Sequence, residues 1–339
     1  MKIIDLETHF LTKNFVERLQ ESRGLPRMEI TEADGRKQHF IRYGPSWTQS
    51  IEWVFDSLLD LEETRLKEMD NAGIATQVLS LSLPGCELLE PEEGTARARE
   101  VNDEIAALCG RHPGRFIGLA ALAPQAPEAA ARELERAVKK LGFRGACINS
   151  HVRGGEYLDE EKYRVLWECA AALDVPVWLH PKAPSPQMIE PFQVYEGVLL
   201  GGALGFAAEV TLHVMRLIWS GLFDRFPNLK IVLGHMGEAL PFWLPRLDGA
   251  KDVRAHPPIS LRPSDYIKRN FAITVSGMPF TPAFLCAYLA LGAERIMFAS
   301  DYPYGKTPRM VRFMEDAPIC DEDREKILYA NAARLLKLD

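Results

Sequence analysis

Short apolar runs alternate with longer amphipathic stretches along nearly the whole chain of 339 residues. The short runs are rich in Val, Ile and Leu without polar alternation, which is typical of strands buried on both faces of a parallel sheet. They are Lys2–Leu6, Thr76–Leu81, Phe116–Ala121, Gly145–Ile148, Val175–Leu179, Lys230–Leu233, Ala272–Ser276 and Arg295–Ser300. Stretches of helical length between or after them include Ala96–Leu108, Pro127–Leu141, Glu160–Leu173, Val210–Phe223, Pro282–Leu291 and Glu322–Leu336.

This alternation predicts an α/β fold, and eight strands fit a closed (β/α)8 TIM barrel. A doubly wound open sheet is the alternative, but no GxGxxG motif follows any of the predicted strands. Barrels of this kind commonly run to about 250 residues or more as one domain. We therefore interpret residues 1–339 as a single barrel domain.

The first strand and the next clear helix are separated by an unusually long segment, about residues 12–53. Its turn residues and mixed polarity predict an inserted loop or a small hairpin. An insertion after strand one lies on the barrel face where active sites occur. Ile41, Tyr43 and Trp47 have the character of packed residues, which argues against a disordered excursion.

The composition excludes several classes of function. The net charge is -7, and no basic segment with interleaved aromatic residues suggests a nucleic-acid partner. No apolar run reaches the roughly 18 residues of a membrane span, and the N-terminus lacks the apolar core of a signal peptide. The six cysteines are scattered singly, as in a reduced, cytoplasmic protein.

Polar side chains stand at the carboxyl ends of four predicted strands. Glu7 and His9 directly follow strand one, His180 follows strand five, His235 follows strand six and Asp301 follows strand eight. The carboxyl ends of barrel strands meet at one mouth, and residues two apart on an extended chain face the same side. Imidazole and carboxylate groups are the ligands of a borderline divalent ion. The sequence therefore predicts a metal site at this mouth.

At these segments the sequence resembles the amidohydrolase superfamily, in the branch of aminocarboxymuconate-semialdehyde decarboxylase and the hydroxybenzoate decarboxylases. The matching motifs are ExH at Glu7–His9, RLKEMDNAGIATQVLSLS at Arg65–Ser82, GEYLD at Gly155–Asp159, LHP at Leu179–Pro181, GLFDRFPNLKIVLGHMGEALPF at Gly221–Phe242 and FASDYPY at Phe298–Tyr304. Most of the superfamily opens with HxH, and Glu7 in place of the first His resembles the γ-resorcylate, 2,3-dihydroxybenzoate and 5-carboxyvanillate decarboxylases. No Lys stands at the end of strand four to be carbamylated, which favours one metal over two.

The resemblance implies a set of functional residues. One divalent ion, Zn2+ or Mn2+, would be bound by Glu7, His9, His180 and Asp301. His235 would be the catalytic histidine, oriented by Glu238, and Arg246 would bind the substrate. The roles of Arg42, Tyr43 and Trp47 in the insertion cannot be assigned from the family.

The implied activity is non-oxidative decarboxylation of a small aromatic acid with a hydroxyl group ortho to the carboxylate. His235 or Asp301 would protonate the ring before CO2 leaves. The alternative is a metal-dependent hydrolase or hydratase acting on a lactone, ester or amide, since the same ligands would serve. We also expect a homo-oligomer, a dimer or a tetramer, from the resemblance and from the apolar segment LPFWLPRL after strand six.

Overall fold

A barrel and a separate small sheet account for the strands of the computed structural model, which describes residues 2–33, 35–44, 47–253 and 258–338. In chain order the strands are β1 (Ile3–Phe10), β2 (Arg27–Ala33), β3 (Arg36–Gly44), β4 (Trp47–Ser50), β5 (Ile74–Leu81), β6 (Phe116–Gly118), β7 (Ala120–Ala121), β8 (Ala146–Asn149), β9 (Val177–His180), β10 (Ile231–Leu233), β11 (Phe271–Thr274) and β12 (Ile296–Met297). All eight runs predicted from the sequence are barrel strands, with β6 and β7 sharing the third run.

Helices follow the barrel strands, as the amphipathic stretches predict. They are α1 (Lys13–Glu21), α2 (Glu52–Leu59), α3 (Glu63–Asn71), α4 (Pro91–Arg111), α5 (Pro127–Leu141), α6 (Arg164–Leu173), α7 (Gly205–Trp219), α8 (Leu222–Arg225), α9 (His235–Glu238), α10 (Leu240–Asp252), α11 (Pro263–Asn270), α12 (Thr281–Leu291), α13 (Thr307–Glu315), α14 (Asp321–Glu325) and α15 (Asn331–Leu336), with a π-helical turn at Lys326–Ala330. Single 3-10 turns lie at Arg153–Gly155, Glu161–Tyr163, Glu190–Phe192, Tyr195–Gly197 and Ala293–Arg295. Among the described residues, no helix combines the length and the apolar content needed to cross a bilayer.

The barrel closes through parallel strands. Pairing runs from β1 through β5 to β6, and from β7 through β8, β9, β10 and β11 to β12. The Leu119 amide donates to the Leu79 carbonyl at 3.0 Å, which joins the two sets between β6 and β7. The Leu6 amide donates to the Phe298 carbonyl at 3.1 Å and closes the ring between β1 and β12. The predicted (β/α)8 barrel is confirmed, and all strand ends that carry candidate ligands face one mouth.

In β1, the alternation of inward-facing and outward-facing side chains shifts by one residue between the apolar first half and the polar second half. Ile4 and Leu6 pack in the cluster inside the barrel. The pairing with β5 then shifts between Asp5 and Thr8, which is the signature of a β-bulge. Because a bulge reverses which side of a strand its later residues face, Glu7 and His9 can turn to the same interior after Leu6.

The segment after β1 is more ordered than the sequence analysis predicted. In place of a loop or a small hairpin it forms helix α1 and a three-stranded antiparallel sheet in the order β2-β3-β4. Met28 and Ile41 are paired across β2 and β3, and both are buried. This apolar pair anchors the sheet to the main core, which explains why the mixed-polarity segment has a defined fold.

Candidate metal centre and catalytic histidine

A cavity of about 500 Å3 opens at the carboxyl ends of the barrel strands. Its polar part is formed by side chains at strand ends, including His180, His235 and Asp301. Its walls are largely apolar and include Trp53, at the end of the insertion, and Phe206 at the start of α7. The cavity therefore combines a polar floor with walls that suit a flat, apolar ring.

Glu7 lies within β1, three residues before its end, and its carboxylate is fixed on one side only. Oε2 accepts hydrogen bonds from the hydroxyl groups of Thr274, at 2.8 Å, and Ser276, at 2.7 Å. Oε1 is buried and has no hydrogen-bond partner. A Cβ atom on Gly234 would lie 2.7 Å from Oε1, so only glycine leaves room for the carboxylate. Burying an unpartnered carboxylate oxygen is costly, which indicates a cation on that side.

One ring nitrogen of His9 contacts a protein side chain, and the other has no hydrogen-bond partner among the described residues, as with the two carboxylate oxygens of Glu7. Its Nδ1 lies 3.1 Å from the Ser80 hydroxyl, and its carbonyl accepts a hydrogen bond from the buried Arg65 guanidinium at 2.6 Å. Its Nε2 is buried without a hydrogen-bond partner and lies 3.2 Å from Oδ1 of Asp301. The ring is thus oriented by β5 and α3, and its Nε2 is left available as a ligand atom.

His180 is the last residue of β9 and brings a second imidazole to the same place. Its Nε2 lies 3.8 Å from Oε1 of Glu7. Burial, together with the nearby imidazoles of His9 and His235, lowers the pKa of His180 well below its usual value. A histidine that stays neutral has a lone pair to offer a metal.

His235 has the opposite electrostatic environment. Burial alone would lower its pKa, but the Glu238 carboxylate, with Nδ1 to Oε1 at 2.6 Å, and Asp301 and Glu7 raise it well above its usual value. Its Nε2 is 3.7 Å from Oδ2 of Asp301. Burial opposes ionisation of Asp301, but the neighbouring imidazoles of His235 and His9 lower its pKa below the usual range. His235 is therefore arranged to carry a proton, with Asp301 ionised beside it.

The turn that holds His235 has an unusual backbone. His235, Met236, Glu238 and Ala239 all have positive φ angles between 51° and 64°, and Asp301 has a φ of 63°. Left-handed backbone at non-glycine residues is costly and concentrates at functional sites. Here it directs the side chains of His235 and Glu238 toward each other directly after β10.

The donor set fits one divalent ion. Candidate ligand atoms of Glu7, His9 and His180 all lie within 4.8 Å of one another, and so do those of Glu7, His235 and Asp301. Glu7 is common to both groups. Two imidazoles and two carboxylates are a ligand set that Zn2+ or Mn2+ accepts.

Arg246 does not line the cavity of its own chain, so its role in substrate binding stays a prediction. Arg246 lies on the exposed side of α10 with Phe242 and Trp243, whereas Leu240 and Leu244 of the same helix are buried. The helical spacing of the two leucines turns the arginine away from the barrel. Among the described residues that line the cavity there is no Arg or Lys.

The insertion contributes to the cavity through residues that the sequence did not single out. Gln49 in β4 and Trp53 in α2 line it. Tyr43 stacks on Trp47 with ring centroids 3.9 Å apart, and its hydroxyl donates to Oε1 of Gln49 at 3.0 Å. Arg42 is paired with Glu29 instead, with Nε to Oε1 at 2.8 Å. Tyr43 thus holds Gln49, and Trp47 packs against Tyr43.

Thr274, Ser276 and Ser80 were also missed by the sequence analysis. Each lies at the carboxyl end of a barrel strand and contacts Glu7 or His9. Their only sequence signal is a hydroxyl at the end of an apolar run, with Thr274 and Ser276 spaced by two. Such residues are too common in loops to be recognised without the fold.

The sequence profile of the amidohydrolase family matches residues 4–338. The chain belongs to this family. γ-Resorcylate decarboxylase of Rhizobium radiobacter is 42% identical over 293 residues, covering 83% of this chain and 89% of that protein. The structure of 5-carboxyvanillate decarboxylase from Sphingomonas paucimobilis has a TM-score of 0.87 at 35% identity, covering 100% of this amidohydrolase and 99% of that chain.

A third related structure bears on the metal. Dihydroxybenzoic acid decarboxylase from Polaromonas sp., with bound manganese and the inhibitor 2-nitroresorcinol, has a TM-score of 0.84 at 36% identity. It covers 99% of this amidohydrolase and 97% of its own chain. The resemblance to the hydroxybenzoate decarboxylase branch, inferred above from motifs, is confirmed.

The contact between Gly234 and Glu7 yields a test of the metal centre. We expect the wild-type chain to bind one Mn2+ ion, and Gly234→Ala to weaken that binding by about tenfold or more, because the added methyl displaces Oε1 of Glu7. Gly249→Ala is the matched control, since a Cβ atom there meets nothing within 4 Å. Isothermal titration of metal-free protein measures both. Equal affinities in the three proteins would contradict the assignment of Glu7.

Proposed function

We propose that this amidohydrolase is a metal-dependent, non-oxidative decarboxylase of a small aromatic acid of the ortho-hydroxybenzoate type. The observation that carries the proposal is the pairing of a ring-sized cavity with His235, held by Glu238, beside a metal-ligand cluster. Relatives at about 40% identity that act on hydroxybenzoates support the same reading. The barrel and its insertion would act as one catalytic unit, because both line the cavity.

Glu7, His9, His180 and Asp301 would hold the ion. His235 would stay free of it, because its Nδ1 is bound to Glu238 and a protonated imidazole has no lone pair to donate. A bound divalent ion supplies Lewis-acid chemistry and a template for two adjacent oxygen atoms of the substrate. The manganese-bound relative supports Mn2+ over Zn2+ as the first ion to use.

His235 would deliver its Nε2 proton to the ring carbon that bears the carboxylate. Glu238 keeps the imidazole oriented and stabilises its charged form. The carbon–carbon bond then breaks, its electron pair returns to the ring, and CO2 leaves. The ortho hydroxyl is needed because its electron donation makes that carbon basic enough to accept the proton. Asp301, ionised beside His235, would help to recover a proton from solvent.

The cavity walls would position the ring. Trp53 and Tyr304 lie edge to face with centroids 5.8 Å apart, and Phe206 and Met278 add apolar surface. Since no Arg or Lys lines the described cavity, the charge of the substrate carboxylate would be balanced by the ion and His235. The groups that bind the substrate carboxylate would then be the same groups that take part in the reaction.

Substrate selectivity tests this mechanism. We expect CO2 release from 2,6-dihydroxybenzoate and little from 4-hydroxybenzoate, because only the former has a hydroxyl ortho to the carboxylate. His235→Asn should keep Mn2+ affinity while kcat falls by about 100-fold or more, since the proton donor is lost. Manometric or coupled CO2 assays and metal titration measure the two effects.

Three results would contradict the mechanism. Equal turnover of the two acids would remove the role of the ortho hydroxyl. Loss of metal together with activity in His235→Asn would make His235 a ligand. Rapid hydrolysis of an aryl lactone or ester without CO2 release would favour the hydrolase alternative.

We further propose a homo-oligomer, because Phe242 and Trp243 are 73% and 41% exposed on adjacent positions of α10. Exposed aromatic side chains in one patch are unfavourable in water unless another surface covers them. Light scattering at micromolar concentration should give at least twice the mass of 38.1 kDa. The double variant Phe242→Ser, Trp243→Ser should shift that mass toward the monomer, and a monomeric wild-type protein would contradict the proposal.

A further inference from the structure

The end of the fourth barrel strand contributes an amide to the metal-ligand cluster. Asn149 is the last residue of β8 and is paired in register with His180, the last residue of β9. Its side-chain Oδ1 lies 3.0 Å from Nδ1 of His180. An amide oxygen can only accept, so Nδ1 must carry the hydrogen of this bond.

Behind Asn149 lies a buried carboxylate that the mechanism does not use. Oε1 of Glu87 accepts from the backbone amide of Asn149 at 2.7 Å and from its side-chain Nδ2 at 3.1 Å. Oε2 lies 3.3 Å from the same Nδ2. Glu87 is 1% exposed and does not line the cavity. A Cβ atom on Gly85 would overlap this carboxylate, so the loop after β5 is shaped around it.

We propose that Glu87 and Asn149 are positioning residues that fix the tautomer and orientation of His180, an inference that rests on the proposed role of His180 as a metal ligand. The carboxylate accepts from the amide nitrogen, so the amide oxygen must face the imidazole. That oxygen places the hydrogen on Nδ1 and leaves the Nε2 lone pair directed toward Glu7. Asn149, at the end of the fourth barrel strand, would thus influence metal binding without contacting the ion, by orienting His180.

Glu87 has one buried positive charge near it, on Lys182. Burial raises the pKa of Glu87, and the buried ammonium of Lys182 counteracts that effect. Partners that orient a ligating histidine usually matter for metal affinity by about 10- to 100-fold. Neither Glu87 nor Asn149 contacts the cavity, so their loss would not remove a substrate contact.

Glu209 provides a matched control. It is as deeply buried as Glu87, has Lys182 as a charged neighbour, and accepts from Ser150, Tyr157 and the Ser185 amide. None of these hydrogen bonds is made to a candidate ligand. Glu209→Gln therefore reports the cost of altering a buried carboxylate of the same kind.

The test is Mn2+ affinity, measured from the electron paramagnetic resonance signal of free Mn2+ during titration of the metal-free protein. We expect Asn149→Leu to raise the Kd by about 10- to 100-fold, because the Nδ1 acceptor is lost. Glu87→Gln should raise it by up to about tenfold, because the amide nitrogen that replaces Oε2 would lie 3.3 Å from Nδ2 of Asn149, donor against donor, and weaken the hold on that amide. Glu209→Gln should leave the Kd unchanged.

The outcomes separate this inference from the proposed function. Wild-type affinity in both Asn149→Leu and Glu87→Gln would overturn the positioning role while leaving the metal site intact. An equal loss in Glu209→Gln would overturn it too, as a general effect of the buried network. If circular dichroism shows that Asn149→Leu does not fold, the Mn2+ affinity of the isosteric variant Glu87→Gln decides whether the positioning role holds. A wild-type protein that binds no Mn2+ would overturn the proposed function itself.

Discussion

The arrangement of the mouth depends on one buried carboxylate. Oε2 of Glu7 is held by the hydroxyls of Thr274 and Ser276, while Oε1 has no hydrogen-bond partner and lies 3.8 Å from His180 and 3.9 Å from His235. A carboxylate held in this way is unfavourable inside a protein unless a cation meets its free oxygen. Three backbone features shape this part of the mouth. They are the β-bulge in β1 near Glu7, the glycine at position 234, and the left-handed turn after β10.

Electrostatics divide the two histidines at the cavity into different roles. Burial and the imidazoles of His9 and His235 lower the pKa of His180. His235 is buried too, but the carboxylates of Glu238, Asp301 and Glu7 raise its pKa. The two rings are only 6.2 Å apart between centroids, so the difference comes from their hydrogen-bond partners and not from their depth. In the mechanism that we propose, one residue type would therefore supply both a ligand and an acid in one site.

The sequence predicted the barrel because eight uniformly apolar runs leave few other arrangements, and strand ends of a barrel converge whatever their separation along the chain. It placed Glu7, His9, His180, His235 and Asp301 together for the same reason. It could not reveal the β-bulge, since an extra residue in a strand leaves no composition signal. The role of Arg246 stays a prediction, because family motifs do not show which face of a helix meets the barrel. The sheet of the insertion was missed because its strands are largely polar, and Met28 and Ile41 are the only buried residues among the described side chains of those strands.

The most direct test of the account is the crystal structure of the Mn2+-loaded protein. The account predicts one ion between Oε1 of Glu7, Nε2 of His9, Nε2 of His180 and the Asp301 carboxylate. Oε2 of Glu7 should still accept from Thr274 and Ser276, and His235 should remain bound to Glu238 and outside the coordination sphere. An ion ligated by His235 in place of His180, or one that draws Oε2 of Glu7 away from its two hydroxyls, would contradict it.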